Sequence, residues 1–96
     1  MSSPPVSIIL PVFDEITNID AVLDSLSQQR YNGTLETVVA DGGSQDGTRE
    51  RLEERAGQNP RIIVIDNPER RQSSGLNLAA ERATGEILVR ADGHTL

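Results

Sequence analysis

Cysteine and lysine are both missing from this chain, and each absence closes off chemistry. The 96 residues include no cysteine, which excludes disulfides, zinc–thiolate sites and thiol nucleophiles. They include no lysine either, so all nine basic residues are arginine. Aromatic residues are scarce at 2% (Phe13 and Tyr31), and any core must be built from Ile, Leu, Val and Ala. No apolar run approaches the roughly 18 residues a membrane span needs. The opening Met-Ser-Ser-Pro-Pro has neither a basic region nor a cleavage pattern, so the expected location is cytoplasmic. Positive charge is also in deficit: fifteen acidic residues against nine basic ones give a net charge of −6. That balance argues against nucleic-acid binding and against docking on anionic lipid. A nucleotide ligand stays open, because a metal ion can offset phosphate charge locally.

What is present reads as a single domain with a modest core. Val6 to Val12 is a short β-branched apolar run, the signature of a strand buried on both faces. Ile16, Ile19, Val22, Leu23 and Leu26 then recur at helical spacing after an N-cap at Thr17 or Asn18. Leu35 to Ala40 predicts a second strand. Asp46-Gly47-Thr48 opens a mostly charged helix from Arg49 to about Ala56, with Leu52 and Ala56 as its apolar contact. Arg61 to Ile65 is a third strand. Ser73 or Ser74 is the expected cap of a third helix carrying Leu76, Ala79, Ala80 and Ala83 on one face, with Gly85 as its stop. Glu86 to Ala91 is the fourth strand. The βαβαβαβ order with short connections predicts an α/β, Rossmann-like three-layer domain on a four-stranded parallel sheet. Ligands in such sheets sit outside the carboxyl ends of the strands.

The unusual polar residues fall at those ends. Asp92 and His94, two residues apart after the fourth strand, are a carboxylate and an imidazole able to share Mg²⁺ or Mn²⁺ with diphosphate oxygens and water. Alone, such a tripeptide fits a polar loop more readily than a metal site. Asp41 precedes two glycines that let a ligand approach the backbone, with a helix start behind. It suits a hydrogen-bond acceptor for a base or ribose and a plain turn residue about equally, whereas Asp46 reads as a plain N-cap and Thr48 as part of the same βα turn. Arg70-Arg71 is the one adjacent basic pair; a solvated pair is the ordinary outcome, a phosphate contact the alternative. No G-x-G-x-x-G and no G-x-x-x-x-G-K-[ST] is present, which removes the dinucleotide and P-loop readings.

Four ordered motifs nevertheless resemble a known family. Val-Ser-Ile-Ile-Leu-Pro-Val-Phe-Asp-Glu (6–15), Val-Val-Ala-Asp-Gly-Gly-Ser-Gln-Asp-Gly-Thr (38–48), Gly-Leu-Asn (75–77) and Thr-Gly-Glu-Ile-Leu-Val-Arg-Ala-Asp-Gly-His (84–94) look like family 2 glycosyltransferases of GT-A fold, nearest the bacterial exopolysaccharide, succinoglycan-type branch. The resemblance implies that the chain is the nucleotide-sugar-binding portion, with UDP-sugar as donor and a divalent metal, Mn or Mg, as cofactor. It assigns Pro11, Phe13, Glu15, Asp41, Arg71 and Asp92 to the nucleotide and Asp92 and His94 to the metal. It places the general base in a C-terminal acceptor half beyond residue 96, so the 96 residues should bind without turnover, and the whole protein is expected at the membrane's cytoplasmic face. Asp14 stands where Asn is usual, Gly42 replaces a second acidic residue, and His94 replaces an Asp.

Two readings of other classes compete. A receiver-like signalling domain would use Asp14, Glu15 and Asp66 around Mg²⁺, but the lysine such a site needs is lacking. A ligand-free interaction module is the second. The family resemblance also implies that the fourth strand lies beside the first with its other edge unpaired, which predicts a homodimer or larger species through that strand.

Overall fold

A computed structural model describes residues 3–28 and 33–91. The elements run β1 (Val6–Val12), α1 (Ile19–Ser27), β2 (Leu35–Asp41), α2 (Thr48–Gln58), β3 (Ile62–Asp66), α3 (Gln72–Arg82) and β4 (Ile87–Arg90). All four strands are parallel in the order β3-β2-β1-β4. The α/β parallel-sheet expectation therefore holds, with β4 at the edge beside β1.

Strand alternation explains the layers. Leu10 and Val12 of β1 and Val39 of β2 face one way, meeting Ile19, Val22 and Leu23 of α1 and Leu52 of α2. Ile9, Val38 and Ala40 face the other way, onto Ala79 with Leu76, Ala80 and Ala83 of α3. Both faces of β1 and β2 are thus covered, which is why these strands read as unbroken apolar runs rather than alternating ones. Pro11 is tolerated in a central strand for a geometric reason. Ile9 C=O accepts from Ala91 N–H at 3.0 Å, so odd positions of β1 face β4, and the last described pair is Ile9 with Arg90. The N–H that Pro11 lacks would point past that pair.

Several boundaries differ from the sequence reading. β3 runs Ile62–Asp66 rather than 61–65, and β2 extends to Asp41. Ile16 lies before α1 and is partly exposed, resting over Gly47. Asn18 is the N-cap of α1 but makes no side-chain cap bond; its amide donates to Glu15 Oε2 at 3.3 Å. α3 starts at Gln72 with Arg71 as cap, not Ser73 or Ser74. Asn67, reaching in from the end of β3, donates to Arg71 C=O at 2.8 Å and accepts from Ser74 Oγ at 2.8 Å. The turn is thus fastened from the loop just before the helix, with Ser74 Oγ also donating to Arg71 C=O at 2.8 Å. Gly85 is no helix stop either. α3 ends at Arg82, and a Cβ on Gly85 would come within 2.7 Å of Ser7 N. Backbone approach to β1 is what requires glycine there.

Candidate functional site

Three loops meet at the carboxyl ends of β1, β2 and β3. Phe13 follows β1 and is 45% exposed. Asp14 adopts φ 49°, a left-handed conformation that Asp and Asn tolerate better than other side chains. In that position its N–H donates to Ser44 Oγ at 2.8 Å and its carboxylate accepts from Gln45 N–H at 2.8 Å. The first loop is thereby sewn to the second. Asp46 and Thr48 add to the seam: Glu15 N–H donates to Thr48 Oγ1 at 2.8 Å and Ile16 N–H to Asp46 Oδ2 at 3.1 Å. Asp46 suffers some desolvation, yet the bonds it accepts from Thr48 and Ile16 outweigh that and hold it below its ordinary value. The sequence suggested Asp46 as the N-cap of α2; that position is Gly47, and Asp46 instead supports the turn by accepting from Thr48 N–H at 3.0 Å.

Asp41 is buried at the end of β2. Its Oδ1 accepts from Ser44 N–H at 3.2 Å and from Ser44 Oγ, while Oδ2 lies 3.5 Å from the Arg49 guanidinium. Arg49 also binds the exposed Asp66 at the end of β3 and Glu53 at 3.1 Å. The hydrogen bond to Asp66 raises its already high pKa further, despite partial desolvation, so Arg49 is a fixed positive charge behind both aspartates.

A cleft of about 300 Å³ opens here, lined by Asp41, Gly42, Gly43, Asp66, Asn67, Pro68 and Arg70. Gly43 holds φ 88°, and an added Cβ there would lie 3.5 Å from the Arg70 guanidinium. Arg70 itself has φ 63°. Its Cζ sits 5.9 Å from the Phe13 ring centroid, at the outer edge of cation–π range.

Of the residues suggested by sequence, the structure puts Asp41 in the lining of this cleft and Phe13 beside it, next to Arg70. Pro11 lies one turn of the pleat below, packed where Gly75 leaves no room for a Cβ. Glu15 stands at the entry to α1, its C=O accepting from Asn18 and Ile19 N–H. Arg71 caps α3, with its side chain 76% exposed beside Glu69. Arg70 lines the cleft in its place. Nothing in the sequence separates these neighbours, because the choice depends on the left-handed turn at Arg70. Asn67, in the connection between β3 and α3, fastens that turn through its local bonds to Arg71 and Ser74. Asp92 and His94 lie outside the described residues. The chain after β4 is held, among the described residues, by Ala91 N–H donating to Ile9 C=O at 3.0 Å. Among the described residues no group of three or more His, Cys, Asp or Glu could hold a metal, which leaves the receiver-like trio without support. No described helix is long and apolar enough to cross a membrane.

Comparison with known proteins agrees with this geometry. The succinoglycan biosynthesis protein ExoA of Rhizobium meliloti is 39% identical over 89 residues, covering 91% of this chain and 27% of that protein. The mannosyltransferase PcManGT from Pyrobaculum calidifontis, solved in complex with GDP-Man and Mn²⁺, is 33% identical with a TM-score of 0.85, over 99% of this chain and 30% of that one. Glucosyl-3-phosphoglycerate synthase from Mycobacterium tuberculosis, solved with Mn²⁺, UDP and glucosyl-3-phosphoglycerate, is 30% identical with a TM-score of 0.67, over 95% and 34%. The chain spans about a third or less of the length of each. The family described as Glycosyl transferase family 2 matches residues 7–96, and the chain belongs to that family.

Proposed function

We propose that the chain binds a nucleotide-diphosphate sugar, UDP-sugar in the first instance, as the donor-binding part of a glycosyltransferase. The acceptor would be a polysaccharide, a lipid-linked saccharide or a related hydroxyl compound, in bacterial cell-surface or exopolysaccharide synthesis at the cytoplasmic face of the membrane. One observation carries the reading. The cleft at the carboxyl ends of β2 and β3 has a buried carboxylate acceptor, Asp41, on one side and a guanidinium over an aromatic ring, Arg70 and Phe13, on the other. An acceptor suits the N–H edge of a base or a ribose hydroxyl. An exposed ring with a cation suits a flat heterocycle.

Charge explains why a metal belongs to the reading. Asp14, Asp41 and Asp66 end three adjacent strands or begin the loops after them, and a diphosphate would be repelled there. Asp92 and His94 have the donor chemistry that Mg²⁺ or Mn²⁺ accepts. A divalent cation held by them would offset the charge of the leaving diphosphate. Ser44 and Arg49 keep the Asp41 carboxylate in place, and Gly42 and Gly43 let the ligand reach the backbone.

Thermal unfolding tests this directly. Ligand at about 100 times Kd should add roughly 2.7 kcal/mol, a rise of about 10 °C or more for a domain of this size. UDP with Mn²⁺ should give that rise, and UDP with EDTA much less. Asp92→Ala should lose the metal-dependent part, whereas His94→Asp should keep it. GDP as a parallel arm decides the base, since the solved relatives carry either GDP-Man or UDP. No shift with either nucleotide in a folded chain would defeat the reading.

A further inference from the structure

The end of β4 remote from the cleft holds a polar knot that the proposed function does not use. Glu36 lies near the start of β2 with only 9% of its surface exposed. Its Oε2 accepts from Ser7 Oγ of β1 at 2.5 Å, from Thr84 N–H at 2.7 Å and from Thr84 Oγ1 at 3.1 Å. Ser7 Oγ, in turn, accepts from Gly85 N–H at 2.8 Å. One carboxylate oxygen thus ties β1 and β2 to the two residues that lead into β4. Gly85 seats against Ser7 so closely that a Cβ would lie 2.6 Å from its Oγ.

β4 has little else to hold it. Every residue from Ile87 to Arg90 is exposed, and neither apolar core includes any of them among its buried members. Its remaining attachments are four paired positions with β1 and the amides of Glu86, Ile87 and Ala91, which donate to Pro5 and Ile9. A buried carboxylate with several donors is strong, geometrically selective glue compared with an exposed strand edge.

We propose that Glu36 is a positioning residue: it latches β4 onto β1 and so fixes where the chain bearing Asp92 and His94 leaves the sheet. The latch stands on the contacts above; its link to metal rests on the proposed function. Glu36→Gln keeps the size and one acceptor oxygen but removes the negative charge that strengthens the bonds from Ser7 and Thr84. Ser7→Ala removes the hydroxyl that joins Glu36 to Gly85 and leaves Glu36 itself in place.

Hydrogen–deuterium exchange on the whole chain reads the latch without metal. The amides of Glu86, Ile87 and Ala91 should exchange about tenfold faster or more in either variant, with Val38 and Val39 unchanged, because local opening is independent of global unfolding. Mn²⁺ titration should show several-fold weaker binding in both. Should Glu36→Gln fail to fold, Ser7→Ala carries the same criteria. Unchanged exchange at β4, or uniform acceleration across the sheet, would overturn the latch. Faster exchange with unaltered Mn²⁺ affinity would overturn the positioning role. If the unsubstituted chain binds no Mn²⁺ while β4 still loosens, the latch stands and the metal reading, with the positioning role built on it, fails.

Discussion

Arg70 occupies a backbone conformation that costs a non-glycine residue about 1 kcal/mol, and it does so at the wall of the cleft. Strain of this kind persists where the surroundings hold it, and the side chain is what is gained. Replacing the residue separates the two. Arg70→Gly should leave stability unchanged or raise it by up to about 1 kcal/mol while weakening nucleotide binding. Arg71→Ala, by contrast, removes an exposed guanidinium beside Glu69 and should alter nucleotide affinity little. Calorimetric titration with UDP and Mn²⁺ checks both, and equal losses in the two variants would contradict the assignment of Arg70 to the cleft. At this scale the sequence was legible in part. Asp41, Phe13 and the glycines could be found because strand ends and turn residues announce themselves. The difference between Arg70 and Arg71, and the crowding that demands Gly85, are set by tertiary geometry with no local signature.

Helices and strands followed periodicity closely, and the misplaced caps show where local rules stop. Ser73 and Ser74 carry the right chemistry for a cap, yet the cap position is Arg71, and Asn67 and Ser74 together tie that turn from either side. α2 illustrates the same balance. Leu52, fully buried, supplies roughly 2–3 kcal/mol. Arg51 and Arg55 reach Asp20 at 2.7 and 3.0 Å, and Arg55 reaches Asp24 at 2.7 Å. Exposed pairs of this sort contribute about 0.2–1 kcal/mol each, so one leucine rivals the whole set. The hydrogen bond from Arg51, partly opposed by desolvation and aided by Arg55, lowers the pKa of Asp20.

Glu36 adds a pH dependence of known sign. Burial pushes its pKa up, but the bonds from Ser7 and Thr84, helped by the charge of Arg82, outweigh this and leave it below its ordinary value of 4.5. A carboxylate depressed in the folded state adds stability above its unfolded pKa and loses it as pH falls through the folded one. Denaturant melts should therefore show wild type losing its advantage over Glu36→Gln below about pH 4.5. An advantage that is constant down to strongly acid pH would mean that the charge is not what matters at this position.

For the molecule as a whole, the order β3-β2-β1-β4 leaves β4 as an open edge with Ile87, Leu88 and Val89 each about half exposed. Because Ile87 and Ala91 donate to β1, the N–H and C=O of Leu88 and Arg90 point outwards. Antiparallel pairing of two copies about Leu88 would match those groups and set Glu86 opposite Arg90 on both sides of the two-fold axis. We expect self-association through β4 at millimolar concentration, measured by light scattering. A clean monomer there would contradict it, as would association undiminished by charge reversal at Arg90 alone, which sets like charges opposite each other; reversal at both Glu86 and Arg90 should restore it.

The sheet order also bears on time. Ser7 and Gly85 touch across 78 positions of sequence, and β1, formed first on the chain, waits for its last neighbour to be made. Contacts of such span slow the search for the native state, so β4 should be the final strand to gain protection during refolding. Until then the central strand of the finished domain is itself an edge, and a growing polypeptide passes through synthesis with its most apolar strand half uncovered.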